Sequence, residues 1–476
     1  MEISLVYIND VHGYLEPHPE LFYRGKEEYT EEVGGYARVG TLISEIKATH
    51  EHVLVFDGGD TFHGTLPLVE TKGQAIVPIL NHLGISAMVA HWDFGYGPGQ
   101  LKKLAAQLNY PLLGINVFND DGSLFLQPYT FVNAGDLKIA VIGICCDIID
   151  KTMPKQFSEG LKFTEGIQEL PGYINEVKDQ GADLVFLLSH NGFPQDVALL
   201  NQVDGIDVCL SAHTHNRLYA AATVNQTIII QCGCHCSFAG HLRLTVENRK
   251  ITGHQYELLQ VGKQYADDTA ISPLVSRIME PYRKLQNEVV GQTELTLHRY
   301  QILSSGMDDF LLASVCEATG NTIAFSNGWR YGAPIPAGPI TMWDLYNMVP
   351  MNPFISTVEL SGKEIGEMLE ANLESTFSAN PMAQMGGYVK RCFGLQVYIK
   401  IENPKGTRIQ QLFAGDELVE AEKYYKVSFV TSQGVPEEFG RNRKDTGIRT
   451  VDVLKKYCLK YGTIKNSANR NSVKAI

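Results

Sequence analysis

Short apolar runs alternate with amphipathic stretches over roughly the first 260 residues of the chain. Runs such as ISLVYI (3–8), KIAVIGI (138–144) and DLVFLLS (183–189) have the length of buried strands. Segments such as GGYARVGTLISEIKATH and GPGQLKKLAAQLN space their apolar residues as a helix does. Strands that alternate with helices in this way predict a layered α/β domain.

The same pattern divides the chain. The first series of strands and helices extends over residues 1–262, and helix-forming sequence at 263–290 predicts a helical linker. A second series covers 291–464, and the polar end of the chain, 465–476, predicts a flexible tail. We therefore expect two α/β domains, in keeping with the length of 476 residues.

Unusual polar residues follow several predicted strands of the first domain directly. They stand in the segments YINDVHG, LVFDGGDTFHG, MVAHWDFG, FLLSHNG and CLSAHTHN. Because the carboxyl ends of strands form the ligand crevice of an open α/β sheet, we expect these side chains to converge. The candidates are Asp10, His12, Asp60, His91, His190, His213 and His215.

A metal centre is the chemistry that such a set of side chains favours. Each histidine or aspartate taken alone is more often a hydrogen-bonded polar group or part of a turn. Seven of them at five strand ends exceed the ligands of one tetrahedral ion and suit two ions with a bridging carboxylate. Imidazole and carboxylate suit Mn, which we expect, and also Zn, Fe or Co. Two such ions activate a bridging water, so we predict hydrolysis of an ester of phosphate or a similar tetrahedral anion.

The overall charge narrows the choice of partner. A formal net charge of −13 argues against nucleic acid or an anionic membrane. A small anionic substrate is compatible with it, because bound metal ions reverse the local field. The chain has no apolar stretch of the roughly 18 residues that span a bilayer. It begins without an export leader, so we expect a cytoplasmic protein.

The cysteines offer a second kind of metal site. The segment CGCHC contains Cys232, Cys234 and Cys236, and thiolates are good zinc ligands. No second cysteine pair with zinc-finger spacing follows it, so reduced thiols are the expectation and structural zinc is the alternative.

The polar blocks at the strand ends resemble those of a known family. DVHG, DGGD, SHNG and AHTH are similar to the motif series of calcineurin-like metallophosphoesterases, and SNGWRYGAPIPAGPITMWDLYNM resembles the C-terminal domain of 5′-nucleotidases. The resemblance extends over nearly the whole chain. It implies a four-layer αββα metallophosphoesterase sandwich, followed by a second α/β domain that binds a nucleotide.

The resemblance also implies how the ligands divide between two ions. One ion would be held by Asp10, His12 and His215, the other by His190 and His213, and Asp60 would bridge them. His91 stands where the family has an asparagine ligand to the second ion. An imidazole can replace that amide as a neutral donor.

The block AHWDFG departs from the 5′-nucleotidase pattern G-N-H-E-F-D. Trp92 replaces the histidine of a dyad that stabilises or protonates the reacting group, and Gly95 replaces its aspartate. An indole donates a hydrogen bond but is no general acid at neutral pH, so we expect Trp92 to shape the pocket. A similar replacement is found in the thiosulfohydrolases of bacterial sulfur oxidation, which release sulfate from a cysteine S-sulfonate. A sulfur leaving group needs little proton donation.

The second domain carries the substrate-binding candidates that the resemblance implies. In 5′-nucleotidases this domain supplies an arginine and two aromatic side chains that enclose the base. The candidates here are Asn327, Trp329, Arg330 and Phe354. The alternative for Trp329 and Phe354 is that they are core residues.

The sequence therefore predicts a two-domain hydrolase of phosphate esters that depends on two divalent ions. Nucleotides are the expected substrates, either 5′-monophosphates or 2′,3′-cyclic phosphates. The predicted catalytic residues are Asp60, His91, Trp92 and Asp93. Two alternatives stay open: hydrolysis of a cysteine S-sulfonate, or a metal-dependent anion-binding protein with little turnover. Two features argue against the S-sulfonate alternative. The expected export leader is absent, and the first loop, 15–40, is short for recognition of a carrier protein.

Overall fold

A computed structural model describes residues 1–330, 332–465 and 472–476 of the chain. These residues form two compact units, one of Met1–Glu20 with Glu31–Glu280 and one of Leu21–Thr30 with Pro281–Ile476. The division between Glu280 and Pro281 falls inside the predicted linker, 263–290. The first helix of this segment, Ile271–Met279, buries Ile271, Val275 and Met279 within the first unit.

Two β-sheets form the centre of the first unit. The first sheet has five strands, in the spatial order Lys250–Gln260, Phe238–Glu247, Glu2–Ile8, Val53–Asp57 and Ala87–Met88. The second has six, in the order Ala222–Val224, Thr227–Ile230, Val208–Ser211, Leu184–Ser189, Leu137–Ile144 and Tyr129–Ala134. The strands that precede the polar blocks are parallel to one another within each sheet, so their carboxyl ends lie at one edge.

The two sheets pack face to face. Leu5 and Tyr7 of the first sheet share one apolar cluster with Val141 and Leu188 of the second. The opposite face of the second sheet packs against the apolar sides of two helices, Leu170–Asp179 and Phe193–Leu200. Helix Tyr36–Thr49 contacts strand Val53–Asp57 of the first sheet. The unit is therefore the four-layer αββα sandwich that the sequence predicts.

Helices connect most of the parallel strands of the first unit. Tyr36–Thr49 lies within the predicted helical segment GGYARVGTLISEIKATH, and Pro98–Ala105 lies within GPGQLKKLAAQLN. The other helices of the unit are Leu66–Glu70, Val77–Leu83, Ile149–Thr152, Leu170–Asp179, Phe193–Leu200 and Ile271–Met279.

The second unit has a core of its own around a five-stranded sheet. The strands lie in the order Tyr388–Phe393, Ile323–Gly328, Tyr424–Val430, Phe354–Ser361 and Arg441–Arg449. Helix Gly362–Phe377 buries Ile365 and Leu369 against this sheet. The remaining helices are Arg283–Asn287, Gly306–Thr319, Met342–Met348 and Thr450–Tyr461. Smaller sheets contain the strands Val289–Thr293, Gly338–Thr341, Thr463–Ile464, Leu395–Ile399, Ile409–Ala414 and Glu417–Leu418.

Two segments expected to be irregular contain strands. The first loop, 15–40, includes His18–Arg24 and Glu27–Val33, which pair with each other. In the predicted flexible tail, 465–476, residues 466–471 lie outside the described residues. Val473–Ala475 form a strand that pairs with Leu395–Ile399, because the Val473 side chain is buried there. None of the described helices is long and apolar enough to cross a membrane.

Candidate metal centre

The seven candidate ligands all lie just beyond the carboxyl ends of parallel strands. In the first sheet, Asp10 follows Glu2–Ile8, Asp60 follows Val53–Asp57 and His91 follows Ala87–Met88. In the second sheet, His190 follows Leu184–Ser189 directly, and His213 and His215 follow Val208–Ser211. The two sheets thus bring residues far apart in sequence to one edge of the sandwich.

The candidate ligands form two groups that share Asp60. One consists of Asp60, His91, His190 and His213, the other of Asp10, His12, Asp60 and His215, and within each group the ligand atoms lie within 4.8 Å of one another. Asp60 Oδ1 is 3.4 Å from His91 Nδ1, and Oδ2 is 3.3 Å from His190 Nε2 and 3.5 Å from His12 Nε2. This is the arrangement of two ion sites with one bridging carboxylate.

Five of these residues have a left-handed backbone. Their φ angles lie between 51° and 72°, and the residues are Asp10, His12, Asp60, His213 and His215. This conformation is unfavourable for residues with a Cβ atom and is concentrated at functional sites. It turns the chain sharply at the end of each strand, which directs the side chains toward one point.

Buried imidazole nitrogens of the first group lack hydrogen-bond partners. His190 Nδ1 donates a hydrogen bond to the Gly58 carbonyl, so the lone pair of Nε2 faces the carboxylates of Asp10 and Asp60. Neither His190 Nε2 nor the two ring nitrogens of His91 have a hydrogen-bond partner among the described residues. A divalent cation would satisfy these nitrogens, so the residues present fit two metal ions.

The pKa values agree with cation binding. Burial lowers the pKa of His12 to about 3, so this imidazole is neutral at pH 7 and can act as a ligand. Burial also acts on His190, but the carboxylates of Asp60 and Asp10 outweigh it and raise its pKa to about 9. The two buried carboxylates thus stabilise a positive charge at this point.

Two further side chains hold the ligands in place. Asn9 Nδ2 donates to Asp10 Oδ2 at 2.6 Å and to the Gly233 carbonyl at 2.8 Å. The Asp93 carboxylate accepts hydrogen bonds from four backbone N–H groups, those of Asp60, Thr61, Phe62 and His91. Asp93 is therefore placed to position the chain on either side of the ligands. Asn9 was not among the predicted site residues, although it directly precedes Asp10 in YINDVHG.

The His63 ring lies next to Trp92 and Gly95, the two positions at which the dyad residues are replaced. Trp92 begins the short 3-10 turn Trp92–Tyr96, and its indole ring lies 4.9 Å from the His63 ring, centroid to centroid. A Cβ atom on Gly95 would lie only 3.0 Å from His63 Cδ2. An aspartate at position 95 would therefore require the imidazole of His63 to shift by a few tenths of an ångström. His63 was not predicted as a site residue, although it stands in the quoted segment DGGDTFHG.

The substrate-binding candidates lie in the second unit and have different surroundings. Trp329 is buried, with the Arg299 guanidinium 5.4 Å from its ring centroid. Phe354 is 40% exposed and the Arg449 guanidinium lies 3.9 Å over its ring. Asn327 donates to Gln433 Oε1 at 3.0 Å. Arg330 is half-buried and precedes residue 331, which lies outside the described part of the chain. Their binding role stays a prediction.

The cysteines of CGCHC are not gathered as metal ligands. Cys232, Cys234 and Cys236 are buried and form no disulfide with one another, and burial raises the pKa of Cys232 to about 12. Within the described ranges, no group of close potential ligands includes a cysteine. The Cys232 thiol is thus protonated at neutral pH. The reduced state of the three cysteines stays a prediction.

Two family models match the chain, one in its N-terminal half and one in its C-terminal half. Residues 3–217 match the calcineurin-like phosphoesterase family, and residues 283–432 match the 5′-nucleotidase C-terminal domain. The chain thus combines a calcineurin-like phosphoesterase domain with a 5′-nucleotidase C-terminal domain. The resemblance stated from the strand-end blocks is confirmed.

Proteins named as 5′-nucleotidases are similar to all or part of this chain. The snake venom 5′-nucleotidase of Naja atra is 23% identical over 457 residues, which are 86% of this chain and 84% of the venom protein. The NAD 5′-nucleotidase of Haemophilus influenzae is 29% identical over 220 residues, which are 45% of this chain and 36% of that protein.

Solved structures share the fold of the 5′-nucleotidase family with this chain. The Thermus thermophilus sulfate thiohydrolase SoxB matches with a TM-score of 0.93 at 24% identity, over 100% of this chain and 96% of that one. A 5′-nucleotidase precursor, also from Thermus thermophilus, matches with a TM-score of 0.88 at 22% identity, over 100% of this chain and 99% of that one. The predicted two-part architecture is confirmed.

Proposed function

We propose that this protein hydrolyses phosphate esters of nucleotides with the help of two divalent metal ions. The observation that carries the proposal is the sharing of Asp60 between two groups of buried ligands. The relatives named as 5′-nucleotidases support nucleotides as the substrate class.

The ligand set favours Mn²⁺ as the ion, because five imidazoles and two carboxylates offer nitrogen and hard oxygen donors together. Bound in pairs, such ions supply an activated water and stabilise the charge of a tetrahedral anion. Asn9 orients the Asp10 carboxylate, and Asp93 fixes the loop that carries Asp60. At the position of the family dyad the chain has an indole, which can donate a hydrogen bond but no proton at neutral pH.

Phosphate release by the manganese-loaded protein tests this proposal. The panel consists of nucleoside 5′-monophosphates, 2′,3′-cyclic nucleotides and nucleotide sugars, each with and without EDTA. We expect turnover of one of these groups that EDTA abolishes. Asp60→Asn should lose bound metal, and its activity should fall at least about 100-fold, because the two ions supply the activated water. Asp121→Asn, at an exposed turn, should keep both the metal and the activity. Protein that binds two ions per chain and hydrolyses none of the panel would refute the proposal.

A second candidate function rests on the presence of Trp92, in contact with His63, at the position of the family dyad. Without a proton-donating dyad, the centre suits substrates with good leaving groups, such as the thiol released from a cysteine S-sulfonate. Sulfate release from S-sulfocysteine peptides, measured beside the phosphate panel, decides between the two. A metal-dependent anion-binding protein would give neither product while it retained bound phosphate.

A further inference from the structure

A third group of buried metal-ligating side chains lies beside the two that share Asp60. It consists of His18, Glu20 and His235, called here the His18 cluster, and its ligand atoms lie within 4.8 Å of one another. All three side chains are buried, with exposed fractions of 7%, 0% and 0%. None of them belongs to the ligand set that the family resemblance implies.

Two separate segments of the first unit supply the cluster. His18 and Glu20 are two residues apart on strand His18–Arg24, so their side chains point to the same face. His235 stands in the loop that contains CGCHC, where its φ angle is 60°. The left-handed backbone at His235 is a strained conformation of the kind seen in the ligands of the metal centre.

The hydrogen bonds leave a lone pair of His18 free to bind a cation. His18 Nδ1 is 3.2 Å from the Glu16 carbonyl, to which it donates, so Nε2 carries the lone pair. Nε2 faces Ser237 Oγ at 3.2 Å, but the Ser237 hydroxyl donates its hydrogen to Glu20 Oε2 at 2.7 Å. Burial lowers the pKa of His18 to about 4, so this imidazole is neutral at pH 7.

The imidazole of His235 has unsatisfied nitrogens although it is fully buried. Neither ring nitrogen has a hydrogen-bond partner among the described residues. Nδ1 lies 3.8 Å from Glu20 Oε2, too far for a hydrogen bond. Two ligand atoms on one tetrahedral ion, each about 2.1 Å from it, are about 3.4 Å apart, so a small movement would let both bind.

Glu20 is held as a charged ligand. Its Oε1 accepts from Arg217 at 2.7 Å, which leaves Oε2 directed toward His18 and His235 through Ser237. Arg217 and the neighbouring imidazoles hold the pKa of the Glu20 carboxyl far below its usual range despite burial, which by itself raises the pKa. Two imidazoles and one carboxylate are a common ligand set of zinc.

We propose that His18, Glu20 and His235 bind a third divalent cation of the zinc type, in addition to the pair in the metal centre. This site goes beyond the proposed hydrolysis, because its ligands take no part in the centre that shares Asp60. The His235 ring lies 6.0 Å from the His12 ring and 6.2 Å from the His215 ring, centroid to centroid. The third ion thus has a place of its own.

The third ion fixes a loop that supports the metal centre. The backbone N–H of His235 donates to the Asp10 carbonyl at 2.8 Å. An ion that ties His235 to the strand His18–Arg24 therefore also restrains the backbone of Asp10. The histidine of CGCHC is the metal ligand of that motif, and its three cysteines are not.

Metal stoichiometry of the full chain tests the third site. The protein is stripped with a chelator, reloaded with a small excess of zinc, desalted and analysed for bound metal. We expect three zinc ions per chain for the wild type, and two for His18→Gln and for His235→Gln. His241→Gln, a buried histidine hydrogen-bonded to Ser4 and outside all three groups, should keep three. Two ions in the wild type, with no change in either cluster variant, would overturn the proposal.

Anomalous diffraction from wild-type crystals grown with zinc needs no variant. The proposal requires a peak enclosed by His18, Glu20 and His235, besides two peaks at Asp60. Two peaks at Asp60 and none in the His18 cluster overturn the third site. This readout is independent of turnover, so a failure of the phosphate panel leaves the third site testable.

Discussion

At the scale of single residues, Trp92 is the point at which the centre departs from the 5′-nucleotidase pattern. Its indole lies beside the tilted ring of His63, and Gly95 leaves room for that imidazole. The position that carries an acid in the 5′-nucleotidase pattern therefore carries a hydrogen-bond donor with no exchangeable acid function at neutral pH. Leaving groups that need a proton should react slowly, and those that leave as stable anions should react faster.

Trp92→His should restore part of the missing proton donation. We expect hydrolysis of a nucleoside monophosphate to rise about tenfold, below the gain typical of general acids, because the aspartate partner is still absent. Hydrolysis of p-nitrophenyl phosphate, whose leaving group needs no proton, should change little. Trp92→Phe controls for loss of the indole. An equal change for both substrates in Trp92→His would contradict this explanation.

The elements around the centre are joined by a few buried carboxylates. Asp93 ties the turn Trp92–Tyr96 to the loop after strand Val53–Asp57 through four N–H groups. Asp196, on helix Phe193–Leu200, accepts hydrogen bonds from the hydroxyls of Ser189 and Ser211 at the ends of two strands. The geometry of the ligands thus depends on these cross-links between elements as much as on the strands.

Asp93→Ala should loosen the loop that carries Asp60. It leaves four backbone N–H groups without their acceptor, and each buried group costs about 1–3 kcal/mol when it stays unsatisfied. We expect a lower melting temperature and an affinity for metal that is at least about tenfold weaker, as is typical when a residue that orients ligands is lost. Asp93→Asn keeps one acceptor oxygen, so its melting temperature and metal affinity should lie between those of the wild type and of Asp93→Ala. Unchanged metal affinity in a folded Asp93→Ala protein, measured by competition with a chelator, would rule out the positioning role.

Asp196 makes stability depend on pH in a defined direction. Burial raises the pKa of Asp196 from 3.8 to about 7. Between these values the unfolded chain releases the proton and the folded chain keeps it, so stability falls as pH rises and is fully present only below about pH 4. The free energy of unfolding falls by about 4 kcal/mol in total over this pH range. Asp196→Asn should reduce the fall in the free energy of urea unfolding between pH 5 and pH 8, whereas Asp179→Asn, which is exposed, should leave it unchanged. Part of the fall should remain, because burial raises the pKa of Asp57 to about 7 as well.

At the scale of the whole molecule, each unit has its own core and its own buried charges. All three groups of candidate ligands lie in the first unit. The second unit buries Asp308 between two arginines, with Oδ1 2.9 Å from Arg299 Nε and Oδ2 3.0 Å from Arg391 Nε. Tryptophans report on the units separately, because Trp92 lies in the first and Trp329 and Trp343 lie in the second.

Asp308→Ala should destabilise the second unit. It leaves two buried guanidinium groups without their carboxylate, a change that costs about 3–5 kcal/mol. In a Trp92→Phe background, tryptophan fluorescence follows only the second unit, and its unfolding midpoint in urea should fall. Metal stoichiometry should stay unchanged, because every candidate ligand belongs to the first unit. Asp416→Ala, at an exposed position, is the control, and an equal shift in both variants would refute the role of the buried pair.

The sequence predicted those parts of the centre that follow continuous apolar runs. Asp10, Asp60 and His190 each come within three residues of a buried strand, so the pattern that predicts the strand also predicts the ligand. His18 and Glu20 could not be found in this way, because they lie in a polar segment that resembles a loop. The contact between His63 and Trp92 depends on how two loops that follow different strands pack together. The spacing of residues along the chain does not predict such packing.

The left-handed backbone at five ligands has a consequence for engineering. Each such residue with a Cβ atom lowers the free energy of unfolding by about 1 kcal/mol, whereas glycine adopts this conformation without that cost. A library selected for heat resistance alone should therefore enrich glycine or asparagine at Asp10, His12, Asp60, His213 and His215, and its best survivors would be inert. Directed evolution of this chain toward thermostability needs these five codons held constant, or a screen that demands turnover in every round.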